Sequence, residues 1–166
     1  MNQLSSLRRK IVLLFLVVAS GLVFSACAQQ TEKEQTTTES TPKAGEVIHI
    51  GTNYMKAHIY DFDAHPNKFV YKGDKPAIID FYADWCGPCR RLAPKLKAIA
   101  EKYKDQIVVY KVNVDENPHL ASVFGVQSIP MVLFVPLQGD PYMSTGDLPM
   151  DYIEETVGKI TSTKPN

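Results

Sequence analysis

A single α/β domain, built on a central mixed β-sheet with helices on both faces, is the fold class predicted for residues 46 to 166. Three observations predict it. Strand-like and helix-like apolar patterns alternate along the chain. Two segments, "AIIDFY" (77 to 82) and "IVVYKVNV" (107 to 114), are almost continuously apolar, which calls for cover on both faces of the sheet. A third pattern, "MVLFV" (131 to 135) and "YMST" (142 to 145) joined by "PLQGDP", reads as a hairpin, so the sheet mixes strand directions. At 166 residues and 45% apolar content, the chain suffices for one sizeable core and is short for two.

The elements follow in order. "EVIHI" (46 to 50) reads as the first strand, and Thr52 or Asn53 is placed to cap a helix through "YMKAHIYDF". Residues 63 to 76 form an irregular connection before the strand 77 to 82. Leu92, Leu96, Ile99 and Tyr103 then recur at helical spacing, predicting an amphipathic helix over 89 to 103. Pro94 should kink it, because proline lacks an N–H and crowds the preceding turn. After the strand 107 to 114, Pro118 and Gly125 bracket a short helix. Following the hairpin, a last helix from about Pro149 should bury Met150, Ile153, Val157 and Ile160.

The N-terminus stands outside this fold. Arg8, Arg9 and Lys10 precede the apolar run 11 to 24, and small residues follow it, which is the layout of a secretory signal over residues 1 to 26. The run is shorter than the ~20 residues a membrane span needs. Two cleavage readings compete: Ser25-Ala26-Cys27 resembles the lipobox of bacterial lipoproteins, with Cys27 lipidated, whereas Ala26-Cys27-Ala28 fits cleavage after Ala28 and a soluble product. Residues 27 to 45 are polar and nearly devoid of apolar side chains, so they read as a flexible tether. Its last 17 residues would span roughly 20 to 25 Å. The expected location is extracytoplasmic, in the periplasm or on the outer membrane face, where disulfides persist. Removing the signal takes away three positive charges and no negative ones, leaving 15 Lys and Arg against 18 Asp and Glu. That small negative balance argues against nucleic acid as a partner.

The chemistry gathers in "IIDFYADWCGPCR" (78 to 90), which places Asp80 inside an apolar strand and Cys86 and Cys89 where the strand ends. A metal clip, a structural staple and an electron-exchanging dithiol all fit two cysteines at this spacing. A staple across so short a loop would stabilise little of the domain. Zinc wants four ligands, and His49, His58, His65 and His119 show no ligand-like pairing to complete a set. Covalent haem attachment needs a histidine where Arg90 stands. A dithiol is the reading that remains, without a metal or other cofactor. With a helix beginning beneath it, Cys86 faces unpaired backbone N–H groups that favour thiolate and suit it to be the nucleophile. Cys89, one turn further and less exposed, suits the resolving role. Burial should raise the pKa of Asp80 until it can exchange a proton with Cys89, with Lys111 on the neighbouring strand as its charge partner.

With those residues in place, "FYADWCGPCRRLAP" together with "VQSIP" resembles the thioredoxin family, over about Glu46 to Ile160. The resemblance implies the thioredoxin fold and a redox pair at Cys86 and Cys89, with Asp80 and Lys111 assisting proton transfer. It implies that Trp85, Gly87 and Pro88 shape the active-site turn. It further implies that Pro130 is a cis-proline presenting the backbone of Ile129 to an extended substrate segment, and that Gly146 lets that segment approach closely. Met131 and Ser128 depart from the residues common in the family, and the connection 63 to 76 is longer than the family needs, fitting either a partner surface or padding. The implied function is reduction or exchange of disulfides in extracytoplasmic proteins by a monomer that draws electrons from a membrane protein. The alternatives are reduction of apocytochrome cysteines before haem attachment, disulfide oxidation or isomerisation, and a binding module without turnover.

Overall fold

The computed structural model describes residues 43 to 162. The signal segment, Cys27 and most of the tether lie outside the described residues. Strands β1 (Val47–His49), β2 (Ala77–Tyr82), β3 (Val108–Asn113), β4 (Met131–Val135) and β5 (Tyr142–Thr145) form one sheet in the order β1-β3-β2-β4-β5. β1, β3 and β2 run parallel, whereas β4 and β5 form the antiparallel hairpin the sequence predicts. The helices are α1 (Thr52–Tyr54), which continues into a π-helical segment Met55–Ile59, then α2 (Gly87–Lys102), α3 (Pro118–Val123) and α4 (Met150–Ser162). None of them is long and apolar enough to cross a membrane.

Strand alternation divides the core into two layers. On one face Ile79, Phe81, Val112 and Leu133 pack against Met55, Ile59 and Leu120. On the other, Ile78, Val109 and Phe134 pack against Leu92, Leu96 and Ile99 of α2 and against Ile153 and Val157 of α4. Each such fully buried side chain contributes about 1.5–3 kcal/mol of transfer free energy, so the central strands are fixed from both sides. This is the physical content of the continuous apolar run in β4 and of the run in β2 that Asp80 alone interrupts.

Several local readings shift. The cap of α1 is Gly51, with no side-chain cap; instead Asn117, just before α3, accepts a hydrogen bond from the Thr52 N–H at 3.2 Å. The helix expected through residue 62 stops at Ile59, after which Tyr60 takes up extended backbone. α2 begins at Gly87 rather than 89 and runs unbroken through Pro94. The carbonyl that Pro94 deprives of a partner belongs to Arg90, an exposed residue. The connection 63 to 76 divides: residues 63 to 68 are exposed, whereas Phe69 packs against Tyr60 and Phe124, with ring centroids 4.6 and 6.4 Å away, and so extends one layer of the core. Residues 43 to 45, read as the end of the tether, form a turn closed by a Glu46 N–H to Lys43 carbonyl hydrogen bond.

Candidate active site

The site is assembled where β2 ends and α2 begins. Cys86 is the N-cap of α2, and its sulfur accepts a hydrogen bond from the Cys89 N–H at 3.2 Å. A sulfur in this place does what a capping hydroxyl does elsewhere: it takes one of the N–H groups that the first helical turn leaves without a carbonyl. Pro88 fits the first turn because its missing N–H would have had no partner there. The chain turns into the helix through a Cys86 N–H to Ala83 carbonyl bond. The sulfurs of Cys86 and Cys89 are bonded at 2.05 Å, across a Cα separation of 5.3 Å.

Both cysteines are only 3% exposed, so burial does not set Cys89 apart from Cys86 in this oxidised form as the sequence reading expects. They pack with Ala83 and are flanked by Tyr82, Val114 and Ile129. Trp85 is the contrast, 68% exposed and held by its indole N–H donating to Asp115 at 2.8 Å. The Ile129–Pro130 bond is cis, as the resemblance implies. The Pro130 carbonyl accepts from the Gly146 N–H at 2.9 Å, and Gly146 has φ +92°, where a side chain would be strained. The dithiol, Ile129 and the Pro130–Gly146 pair are thus brought to one end of the sheet.

Asp80 sits in the middle strand of the sheet, paired with β3 on one side and β4 on the other, and is 2% exposed. Its Oδ1 has no hydrogen-bond partner among the described residues. Burial raises its pKa from 3.8 to about 7, against an opposing pull from Lys111. It opens onto a cleft of about 640 Å³ that is also lined by Ala93, Pro94 and Lys97 of α2, and Ala93 stands one turn along that helix from Cys89. Lys111 stands directly beside Asp80 in the β2–β3 register, yet its ammonium lies over the Tyr82 ring, 3.7 Å from the centroid, and makes no ion pair with Asp80. The charge partner expected from sequence therefore acts at longer range.

Sequence reasoning missed His49. In the β1–β3 register it flanks Lys111 opposite Asp80, lines the same cleft, and places Nδ1 3.4 Å from the Tyr82 hydroxyl. Burial and Lys111 both lower its pKa. The row His49, Lys111, Asp80 depends on strand pairing, which leaves no local signal. Among the described residues no group of three His, Cys, Asp or Glu side chains gathers to hold a metal ion.

A family model described as Thioredoxin matches residues 58–159. A thioredoxin of Borreliella burgdorferi is 41% identical over 99 residues, covering 60% of this chain and 84% of the relative. One from Porphyra purpurea is 38% identical over 100 residues, 60% of this chain and 94% of the relative. Among solved structures, chloroplastic thioredoxin z is 30% identical with a TM-score of 0.59, covering 71% of this chain and 96% of that one. Relatives whose length this chain nearly fills, together with two cysteines already bonded at the head of a helix, place its chemistry in the exchange of protein disulfides. The chain belongs to the thioredoxin family and is a protein-disulfide oxidoreductase.

Proposed function

We propose that the protein is an exported, lipid-anchored reductase of disulfides in extracytoplasmic proteins. The observation that carries the chemistry is the bonded Cys86–Cys89 pair at the head of α2, with Ile129 of the cis Ile129–Pro130 bond packed against it. The location rests on the basic, apolar and small-residue order of residues 1 to 26 and on Cys27 after Ser25-Ala26.

In the reduced protein, the Cys86 thiolate attacks one sulfur of a substrate disulfide. A Cys86–substrate bond forms, the substrate bond breaks, and the departing sulfur takes a proton. Cys89 then gives its proton to ionised Asp80 and attacks the Cys86 sulfur. The second substrate thiol is released and the Cys86–Cys89 disulfide forms, so two electrons have passed to the substrate. Lys111 holds positive potential near Asp80. Trp85, Gly87 and Pro88 shape the edge of the site, while Ile129, Pro130 and Gly146 receive an extended substrate segment. No cofactor takes part, and the protein works as a monomer recharged by a membrane electron donor. Apocytochrome cysteines are one substrate class within the same direction of electron flow.

Two measurements test this. Equilibrated against glutathione, the pair should show a reduction potential below about -230 mV, near the about -270 mV of thioredoxins. A value above about -160 mV would make it a disulfide-forming enzyme, since the strong periplasmic oxidant lies near about -120 mV. In cells, the full chain should incorporate an alkyne-tagged fatty acid and Cys27→Ala should not; an unlabelled wild-type chain would remove the anchor.

A further inference from the structure

The loop that carries Gly146 is fastened to α2 by a residue the proposed reaction does not use. The Asp147 carboxylate accepts from Arg91 Nε at 2.8 Å through Oδ2 and from Lys95 Nζ at 2.7 Å through Oδ1. Lys95 also donates to the Leu148 carbonyl at 2.8 Å. Arg91 and Lys95 are four residues apart on α2, so both donors stand on one side of the helix, starting just past Cys89. The two cations hold the Asp147 pKa below its usual range. On the other side of the same loop, the Gly146 N–H holds the Pro130 carbonyl, and Leu148 is buried against α2 and α4.

We propose that Asp147 is a positioning residue for substrate binding: with Arg91 and Lys95 it locks the Gly146 loop to the redox helix and presets the groove for a protein segment. The inference rests on the proposed role of Ile129, Pro130 and Gly146 in receiving substrate. One exposed ion pair alone would be too weak for this. Here one carboxylate satisfies two cations, and one of those cations also holds a loop carbonyl, so a single ordering cost fixes three hydrogen bonds. A loop already fixed need not be ordered when substrate arrives, which lowers the cost of binding rather than of chemistry.

The test compares the wild-type full chain with Asp147→Asn, which keeps shape and removes charge, using insulin as the protein disulfide and glutathione disulfide as a small one. KM for insulin should rise about three- to tenfold with kcat within about twofold, and Asp147→Glu should recover part of the loss. Salt at about 0.5 M should raise the wild-type KM and leave that of Asp147→Asn nearly unchanged. Lys95→Met probes the same lock from the helix side, and the double variant should be no worse than the poorer single one. An insulin KM unchanged in both single variants, or an equal loss with glutathione disulfide, would overturn the positioning role alone. Failure of the wild-type chain to reduce insulin would overturn the reductase reading and this inference with it.

Discussion

Replacing Cys86 with serine should lower disulfide reduction by about a thousandfold or more while leaving the fold nearly as stable. A serine hydroxyl stays protonated near neutral pH and forms no mixed disulfide, so the first step is lost. The fold survives because the Cys86 sulfur serves structurally as the cap that accepts the Cys89 N–H, and serine is among the best residues for that position. The disulfide itself closes only a short loop and contributes little to stability. Cys89→Ser should behave differently: it retains the first attack and loses the second, so it should accumulate covalent adducts with substrate proteins. Insulin turnover, urea denaturation and mass spectrometry of trapped adducts read these outcomes. Turnover retained in Cys86→Ser, or adducts held through residue 89 in the native chain, would reverse the assignment of roles.

What the sequence disclosed about this site follows from how local each signal is. β2 and β4 were legible because burial on both faces leaves few polar positions, and Asp80 stood out against that background. The pattern starts α2 at 89 rather than 87, since a thiol at the N-cap lies outside the usual Ser, Thr, Asp and Asn signature. The π-helical segment escaped because Met55 and Ile59, both buried and four apart, satisfy an α-helical pattern equally well. Aromatic residues in the connection, Phe69 and Tyr71, are the available sign that its second half packs against the core. Two features leave no local signal in the sequence. The row of His49, Lys111 and Asp80 requires the register of three strands, and the bonds of Asp147 to Arg91 and Lys95 join residues 56 and 52 positions apart.

Asp80→Asn should slow turnover by about a hundredfold and make the protein more stable, with the gain growing as pH rises. The kinetic half follows from the resolving step: an amide cannot take the Cys89 proton, so that proton must leave by a slower route. The rate in the native protein should climb as Asp80 ionises near pH 7, and this rise should flatten in the variant.

The stability half follows from proton linkage. Burial raises the Asp80 pKa from 3.8 to about 7, so between those values the native state binds a proton that the unfolded chain has released. Whatever that proton contributes is fully present below about pH 4 and is lost as pH climbs through 7. At about 1.36 kcal/mol per pH unit, the complete loss is of order 4 kcal/mol above neutrality. Asparagine carries no charge at any pH, so the stability difference between variant and native protein should widen by about 2 to 3 kcal/mol from pH 5 to pH 8. Urea titrations at the two pH values measure it, and a difference that stays constant would show that Asp80 is not the group titrating in the core. The same absence of a hydrogen-bond partner at Oδ1 explains both halves. A carboxylate satisfied by neighbouring donors would stabilise the fold and keep a low pKa, and it would then be too weak a base to take a thiol proton.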